Sequence, residues 1–413
     1  MAAIAGESKL AVDGGTPVRT TPFPARGLIA AEEKAAAMKL FDEAIAAGNA
    51  FGYNGTYEKQ YEQDFAGYMG GGFADGVNSG TNAVFCALGA LQLPPFSEVI
   101  LPPITDPGGA MPVVFIGCVP MIADADPRSF NVCADTIRPL ISERTRAIVV
   151  AHIAGDPVDM DPILELARAH NLYVVEDCAQ SHGATYKGKM VGTLGHIAAF
   201  STMFGKHHCT GGQGGVVYTR DEKLHWQGRR FADRGKPFNL ENTGGNVVAG
   251  LNCNLNELSA AIGSAQLKKL PEIVRRRRAA AAGIIAGMKQ LKAVAPAWQP
   301  PGAESAYWFM KIRFVPEAMR VDKATFCQAL AAEGIPVGAS YRHIPCEQPW
   351  FKDIYTRNCS DYKGPKAPVF KVDNAIRVTD SHFILSLAES YGEAEVRDIL
   401  AALAKVENAF LKS

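Results

Sequence analysis

The sequence predicts an α/β protein with a mainly parallel central sheet and a smaller C-terminal α+β domain. Between about residue 80 and residue 220, apolar runs of strand length alternate with stretches of helical period, the pattern of βαβ units. Beyond residue 271 that alternation gives way to long helical stretches with one alternating strand among them. The chain has 413 residues, 47% of them hydrophobic, enough to bury one large core and a second, smaller one.

Residues 1–30 read as an N-terminal arm, 31–271 as the large domain and 272–413 as the small one. Ala31–Ala47 and Tyr57–Tyr68 have amphipathic helical spacing and are split by the turn-rich GNAFGYNGT. The strands of the large domain are expected at Glu98–Leu101, Pro120–Asp124, Ala147–His152, Leu172–Glu176, Ile197–Ser201 and Gly215–Thr219. Between them, Thr81–Leu91 opens a helix after a Ser-Gly pair, and Met160–His170 repeats apolar residues at Ile163, Leu164, Leu166 and Ala167. Asn256–Leu270 and Glu272–Leu291 are helical, with Pro271 suited to a first turn. The small domain then offers a strand at Ala306–Phe314 and helices at Lys323–Glu333 and near Glu393–Val406. The Arg275–Arg278 run reads as a solvated or interface helix face.

Forty-two basic residues balance 42 acidic ones, so overall charge gives no reason to expect nucleic acid or an anionic membrane as partner. The nine cysteines form no C-x-x-C pair and sit mostly inside apolar runs, as buried free thiols do in a reducing compartment. The first residues, MAAIAGESKLAVDGG, lack a basic start followed by a long apolar core, and no segment approaches the ~18 uninterrupted apolar residues of a membrane span. A soluble, cytoplasmic protein is expected.

Three stretches could carry chemistry. The run Leu172-Tyr173-Val174-Val175-Glu176-Asp177 is a strand ending in acid, and ligands of open parallel sheets gather at the carboxyl ends of strands. Taken alone, Asp177 could equally cap a helix or a turn. Lys206 follows an apolar strand and precedes His207-His208-Cys209-Thr210-Gly211-Gly212-Gln213-Gly214-Gly215. A lysine partly withdrawn from water can have its pKa lowered, leaving a neutral amine able to form an imine, although a solvated loop lysine would look similar. The adjacent histidines should point apart, and no second cluster has ligand spacing, so no metal is expected. Finally, Asn78-Ser79-Gly80-Thr81-Asn82-Ala83 opens a helix with hydroxyls at Ser79 and Thr81, which suits a phosphate as well as a plain cap. Together these are the parts pyridoxal phosphate needs: an imine-forming lysine, a carboxylate for the pyridine nitrogen and a phosphate anchor.

The chain resembles the DegT/StrS family of sugar aminotransferases, which have the fold type I, aspartate-aminotransferase architecture, over about Leu10 to Lys405. The stretches LAVDGGTPVR, VNSGTNAV, ISERTRAIVVAHIAGDPVDMDPI, VVEDCAQSHGATYKGKMVGTLGHIAAFS and LNCNLNELSAAIGSAQLKKL carry the resemblance, with the Lys206 loop. It implies Lys206 as the Schiff-base lysine, Asp177 on the pyridine nitrogen, Gln180 near the ring hydroxyl, and Gly80, Thr81 and Ser201 around the phosphate. It implies further that Asn252 reaches the phosphate of a neighbouring subunit, hence a homodimer with shared sites, and that Tyr341, Arg342 and His343 contact substrate. The reaction implied is amino transfer from glutamate or glutamine to a keto-sugar, nucleotide-linked or free, or to a keto-cyclitol. The alternatives are a cofactor-dependent sugar dehydratase, whose kind commonly carries His in place of Lys206, and a non-catalytic cofactor-binding regulator. Three departures stand out: Asp106 where relatives stack an aromatic or His on the ring, with Thr105 the candidate if the alignment slips; GGQGG for the commoner GEGG; and Asn254 in place of an arginine.

Overall fold

The computed structural model describes residues 9–357, 359, 361–366 and 368–412. Helices α1 (Ala31–Ala47) and α2 (Thr56–Tyr68) precede strand β1 (Phe73–Val77). Then come α3 (Gly80–Ala90), β2 (Glu98–Leu101), α4 (Pro107–Phe115), β3 (Val119–Ile122), α5 (Ala134–Ile137), β4 (Thr145–Ala151), α6 (Met160–Ala169) and β5 (Tyr173–Asp177). A small hairpin, β6 (Thr185–Tyr186) and β7 (Lys189–Met190), leads to β8 (Ile197–Ser201), β9 (Gly215–Thr219) and α7 (Glu222–Ala232).

Seven of these strands form one sheet in the order β1-β9-β8-β5-β4-β2-β3. The pairs β2–β3, β2–β4, β4–β5 and β5–β8 are parallel, whereas β9 runs antiparallel to both β8 and β1. Helices cover both faces, so the central strands are buried on both sides, and Val99, Ile100, Ile148, Val174 and Val175 are sealed from solvent. Ala151, Asp177 and Ala199 lie side by side in the register of β4, β5 and β8. The carboxyl ends of three central strands thus open at one edge.

The rest of the chain adds α8 (Glu257–Leu267), α9 (Leu270–Met288), β10 (Val294–Pro296), β11 (Ala303–Glu304), β12 (Phe309–Phe314), α10 (Lys323–Ala332) and β13 (Val337–Gly338), then α11 (Pro349–Lys352), α12 (Ile354–Arg357), α13 (Asp373–Ser381), β14 (His382–Ser386) and α14 (Glu393–Phe410). A four-stranded sheet, β10-β12-β14-β13, packs with α9, α10 and α14 around a second core of Ile284, Ile312, Phe326, Phe383 and Leu403. Packing does not follow chain order throughout: Ile344, Phe351, Tyr362, Val372 and Val378 join the core of the large sheet. Among the described residues, no helix is long and apolar enough to cross a membrane.

The α/β class and the expected strands are found, with shifts of one or two residues at most ends of the large sheet. Pro271 does sit in the first turn of α9. Two expectations change. The strand read over Ala306–Phe314 begins only at Phe309, because Tyr307 has φ +51° and the N–H groups of Ala306 and Trp308 donate to the carbonyls of Gly155 and Ala154. The arginine run is not one solvated face. Arg275 and Arg276 are exposed and bind Glu272, but Arg277 is buried against Glu389 and three carbonyl groups. A run of four consecutive residues covers a full helical turn, so at least one must face inward.

Candidate active site

Asp177 ends β5 in the middle of the sheet. Its backbone carbonyl accepts the His152 N–H, its neighbour Cys178 donates to Ala199, and its Oδ1 takes the Ala179 N–H at 3.0 Å. Burial pushes its carboxyl up, opposed by the Ala179 N–H and the Lys206 ammonium, with Asp106 adding to the rise. Behind it, Glu176 accepts the N–H groups of Gly192, Leu194 and Gly195. His152 Nδ1 accepts the Val158 N–H, which leaves its Nε2–H to donate to Glu176 at 3.1 Å.

Lys206 stands in the turn that leaves β8. Its N–H donates to the Met203 carbonyl, while Thr202 and Phe204 donate to Gly214 and Gly212, folding the glycine run back along the turn. The residue is buried, at 7% exposure, rather than open to solvent. Burial brings its pKa down to about 8, against the pull of Asp177 and Asp106. The adjacent histidines do point apart: His207 Nε2 donates to the Ala306 carbonyl and His208 pairs with the Tyr61 hydroxyl.

The Ser-Gly-Thr turn opens α3, with Ser79 Oγ accepting the Asn82 N–H at 3.1 Å. Gly80 packs onto the end of β8 so closely that an added Cβ would lie 2.5 Å from that of Ser201. The helix N-terminus, Ser201 and the Lys206 turn therefore converge. One cavity is lined by Ser79, Gly80, Thr81, Asp177, Ser201 and Lys206.

Gln180 joins the same cavity: its Oε1 accepts the Ala154 N–H at 2.7 Å, and its Nε2 donates to the Tyr341 hydroxyl at 2.8 Å. Tyr341 packs against Phe309 and His343, and the His343 carbonyl accepts the Thr105 N–H. Both Thr105 and Asp106 line the cavity. Thr105 is buried, and Asp106 caps α4 by accepting the Gly108 N–H at 2.9 Å. Two expected residues lie elsewhere. Arg342 turns away into a two-pronged ion pair with Glu347 and a longer one with Asp380. Asn252 is exposed, accepts from Asn254 and bridges to Asp233, outside the cavity of its own chain.

Sequence reasoning passed over His152, Gly109 and Trp308. His152 follows directly on β4, so the strand-end rule applied to Asp177 would have found it too. Gly109 and Trp308 carry no such signal, since their place depends on packing between distant segments.

The donor set fits pyridoxal phosphate: a buried carboxylate for a pyridinium, a buried amine for a carbonyl, and free N–H groups with hydroxyls for a phosphate. The lining is shaped for a flat group as well. A Cβ added at Gly109 would lie 2.5 Å from Thr105 Oγ1 and 2.8 Å from Asp177 Oδ2, so any side chain there would crowd the carboxylate.

Known proteins give the same reading. The chain is 35% identical over 427 aligned residues, 97% of each protein, to the L-glutamine:2-deoxy-scyllo-inosose aminotransferase of Streptomyces fradiae. It is 40% identical over 223 residues to the GDP-perosamine synthase of Caulobacter vibrioides, an alignment covering 54% of this chain and 59% of that protein. The crystal structure of the aminotransferase from Psychrobacter cryohalolentis superposes with a TM-score of 0.81 at 27% identity, covering 94% of this chain and 99% of that one. Residues 32–403 match the DegT/DnrJ/EryC1/StrS aminotransferase family, a family dependent on pyridoxal phosphate, and the chain belongs to it.

Proposed function

We propose that the protein transfers an amino group from glutamine or glutamate to a keto-cyclitol or keto-sugar, with Lys206 as the residue that bonds the cofactor and moves the proton. The observation that supports this most directly is the convergence of Lys206, Asp177 and the Ser79-Gly80-Thr81 turn on one cavity. When bound, pyridoxal phosphate supplies the carbonyl that captures the donor nitrogen and the electron sink that loosens the α-proton. Asp177 would hold the pyridine nitrogen protonated, Gln180 would meet the ring hydroxyl, and Gly80, Thr81 and Ser201 would anchor the phosphate. Lys206, with its amine near neutrality at about 8, accepts a proton and returns it within one cavity.

Asp106 presents an acceptor where the resemblance places an aromatic or His, which favours hydroxyl groups of the acceptor substrate. Arg342 is held by Glu347, so it offers no free charge to a diphosphate. Both features favour a neutral polyol ketone, as do the relatives of full-length similarity, whose names specify 2-deoxy-scyllo-inosose.

The reading includes a homodimer. An apolar groove lined by Phe85, Leu88, Phe115, Ile116, Phe231 and Leu251 runs beside the site, and Phe115 and Leu251 are 77% and 59% exposed. Thr81 lines both groove and cavity, so a second copy seated there would reach the phosphate anchor, and its Asn252 would have a role that Asn252 lacks in its own chain. The free state of all nine cysteines supports a cytoplasmic setting.

The test is spectroscopic and chemical. Purified protein loaded with pyridoxal phosphate should show an absorbance band that shifts on adding glutamine or glutamate. The shifted form should then aminate 2-deoxy-scyllo-inosose faster than a nucleotide-linked keto-sugar. An unshifted band would remove transamination, and the opposite preference would remove the polyol assignment.

A further inference from the structure

Lys206 is held from two sides by groups that the reaction scheme leaves out. Its Nζ lies over the Trp308 ring, 3.8 Å from the centroid. The ring cannot swing freely, since its Nε1–H donates to the Gly205 carbonyl at 3.0 Å and its backbone N–H to Ala154. On the other side the N-terminal arm reaches in: Arg26 Nη1 and Nη2 donate to the carbonyls of Gly205 and Lys206 at 3.1 and 2.8 Å. Glu389 joins the two halves, with Oε1 accepting from Arg26 and Oε2 from buried Arg277. Arg277 in turn donates to the carbonyls of Tyr307, Trp308 and Leu387. Both the backbone that carries the amine and the backbone that carries the indole are therefore fixed by one ionic network.

Resting on the reading of Lys206 as the imine-forming lysine, we propose that Trp308 is a positioning residue whose indole face receives the Lys206 nitrogen in its protonated form, once the released amine has taken up a proton. During amino transfer the donor nitrogen displaces Lys206, and the freed amine must stay close, keep its proton for return and avoid drifting toward the substrate. A buried ammonium has lost water, and an aromatic face is one of few uncharged groups that attract it. The charged and titratable groups around it are Asp177 on β5 and Asp106 at the start of α4, which favour the ammonium; His182, held neutral by burial; and Arg26, whose guanidinium sits on the loop carbonyls. By the proposed reading Asp177 faces the pyridine nitrogen and so draws the ammonium toward the cofactor, whereas the indole draws it away.

The experiment uses the full chain loaded with pyridoxamine phosphate, in which Lys206 is free, and follows acetylation of Lys206 against pH by peptide mass spectrometry. Trp308→Leu should lower the midpoint of the Lys206 titration by about half to one pH unit and speed its modification at pH 7 about three- to fivefold, as loss of a cation–π contact requires. Trp308→Phe, which keeps an aromatic face, should give less than half that shift. If the leucine variant does not fold, incorporation of fluorinated tryptophan, which weakens the ring face without changing its shape, should lower the midpoint in the same direction. Titrations of the leucine, phenylalanine and fluorinated proteins that match the parent would overturn the proposal and leave Trp308 as packing. Borohydride trapping of the parent keeps the two levels apart. An adduct on a lysine other than Lys206 sinks the underlying reading, whereas an adduct on Lys206 with unchanged titrations sinks only the role of Trp308.

Discussion

Asp106 does two jobs with one carboxylate, and they can be separated. As N-cap of α4 it accepts the Gly108 N–H, and as a charge it raises the pKa of Asp177 and of the Lys206 amine. Asparagine caps a helix about as well as aspartate, so Asp106→Asn should leave the melting temperature near that of the parent. The same variant should raise the KM for the polyol acceptor several-fold, with a smaller change in the glutamine half-reaction through the lost charge beside Lys206 and Asp177. Asp106→Leu should lose in addition about 1 kcal/mol of stability with the cap. Separate single-turnover measurements of the two half-reactions, with a thermal melt, check this; a loss confined to the glutamine half would move Asp106 to the donor's side. Asp177 was legible in the sequence because it ends an apolar strand, and strand ends have a fixed meaning in a parallel sheet; Lys206 was legible because it lies in the turn between an apolar strand and a glycine run. Trp308 and Arg26 were not, since Trp308 is brought to Lys206 by a left-handed kink at Tyr307 and Arg26 by an arm with no periodicity.

At the scale of elements, α2, β1 and α7 meet around a buried acidic cluster. Glu58 and Glu62 from α2 and Asp75 from β1 face Arg229 of α7, which binds Glu62 at 2.8 Å and Asp75 at 2.6 Å. Glu58 Oε1 and Asp75 Oδ2 are buried without a partner. Burial pushes Glu58 up to about 8 and Asp75 up to about 7, with the Asn54 N–H and Arg229 respectively pulling down. Both folded-state values lie above the ordinary carboxylate range, so the folded chain holds protons that the unfolded chain releases. Their contribution to stability is complete below about pH 4 and is lost as pH rises through 7 and 8. The unfolding free energy should therefore fall between about pH 4 and pH 8, by up to about 1.4 kcal/mol per pH unit for each group, and level off above that; thermal midpoints should follow it, and Glu58→Gln should flatten the fall. An equal slope in parent and variant would place the ionisation elsewhere. The same cluster explains why β1 escaped sequence reading. Phe73-Ala74-Asp75-Gly76-Val77 has an acid and a glycine in its middle, and only pairing with Arg229 makes Asp75 tolerable inside. Likewise α4 was hidden by Pro107-Gly108-Gly109, which reads as a loop until the Asp106 cap and the first-turn proline are seen together.

At the scale of the whole molecule, shared sites predict complementation. Lys206→Ala protein mixed with an Asn252→Ala protein should recover part of the parent's activity, up to about a quarter when subunits exchange freely at equal amounts, because one of the two sites in a mixed dimer keeps both residues. Co-purification of the two differently tagged chains should show the exchange; recovery absent in spite of it would mean that each chain builds its site alone. A second, smaller sheet with a core of its own was foreseeable from the switch in periodicity after residue 271. The crossing of 344–378 into the core of the large sheet was not, because those apolar residues are spaced as in any buried segment and nothing local says which core receives them.

The pairing of β1 with β9 has a consequence for how the chain reaches this structure. The first strand of the large sheet takes its place only beside β9, the last strand of that sheet to be made, and β9 also closes onto β8. Contacts so distant in sequence carry a high loop-closure cost and slow the search for the native pairing. During synthesis, α2 and β1 leave the ribosome long before a partner exists, so the acidic cluster remains open to water until Arg229 has followed β9. A nascent chain halted before Thr219 would present an unpaired edge, and holding that edge from aggregation until β9 arrives is the task this topology hands to the cell's chaperones.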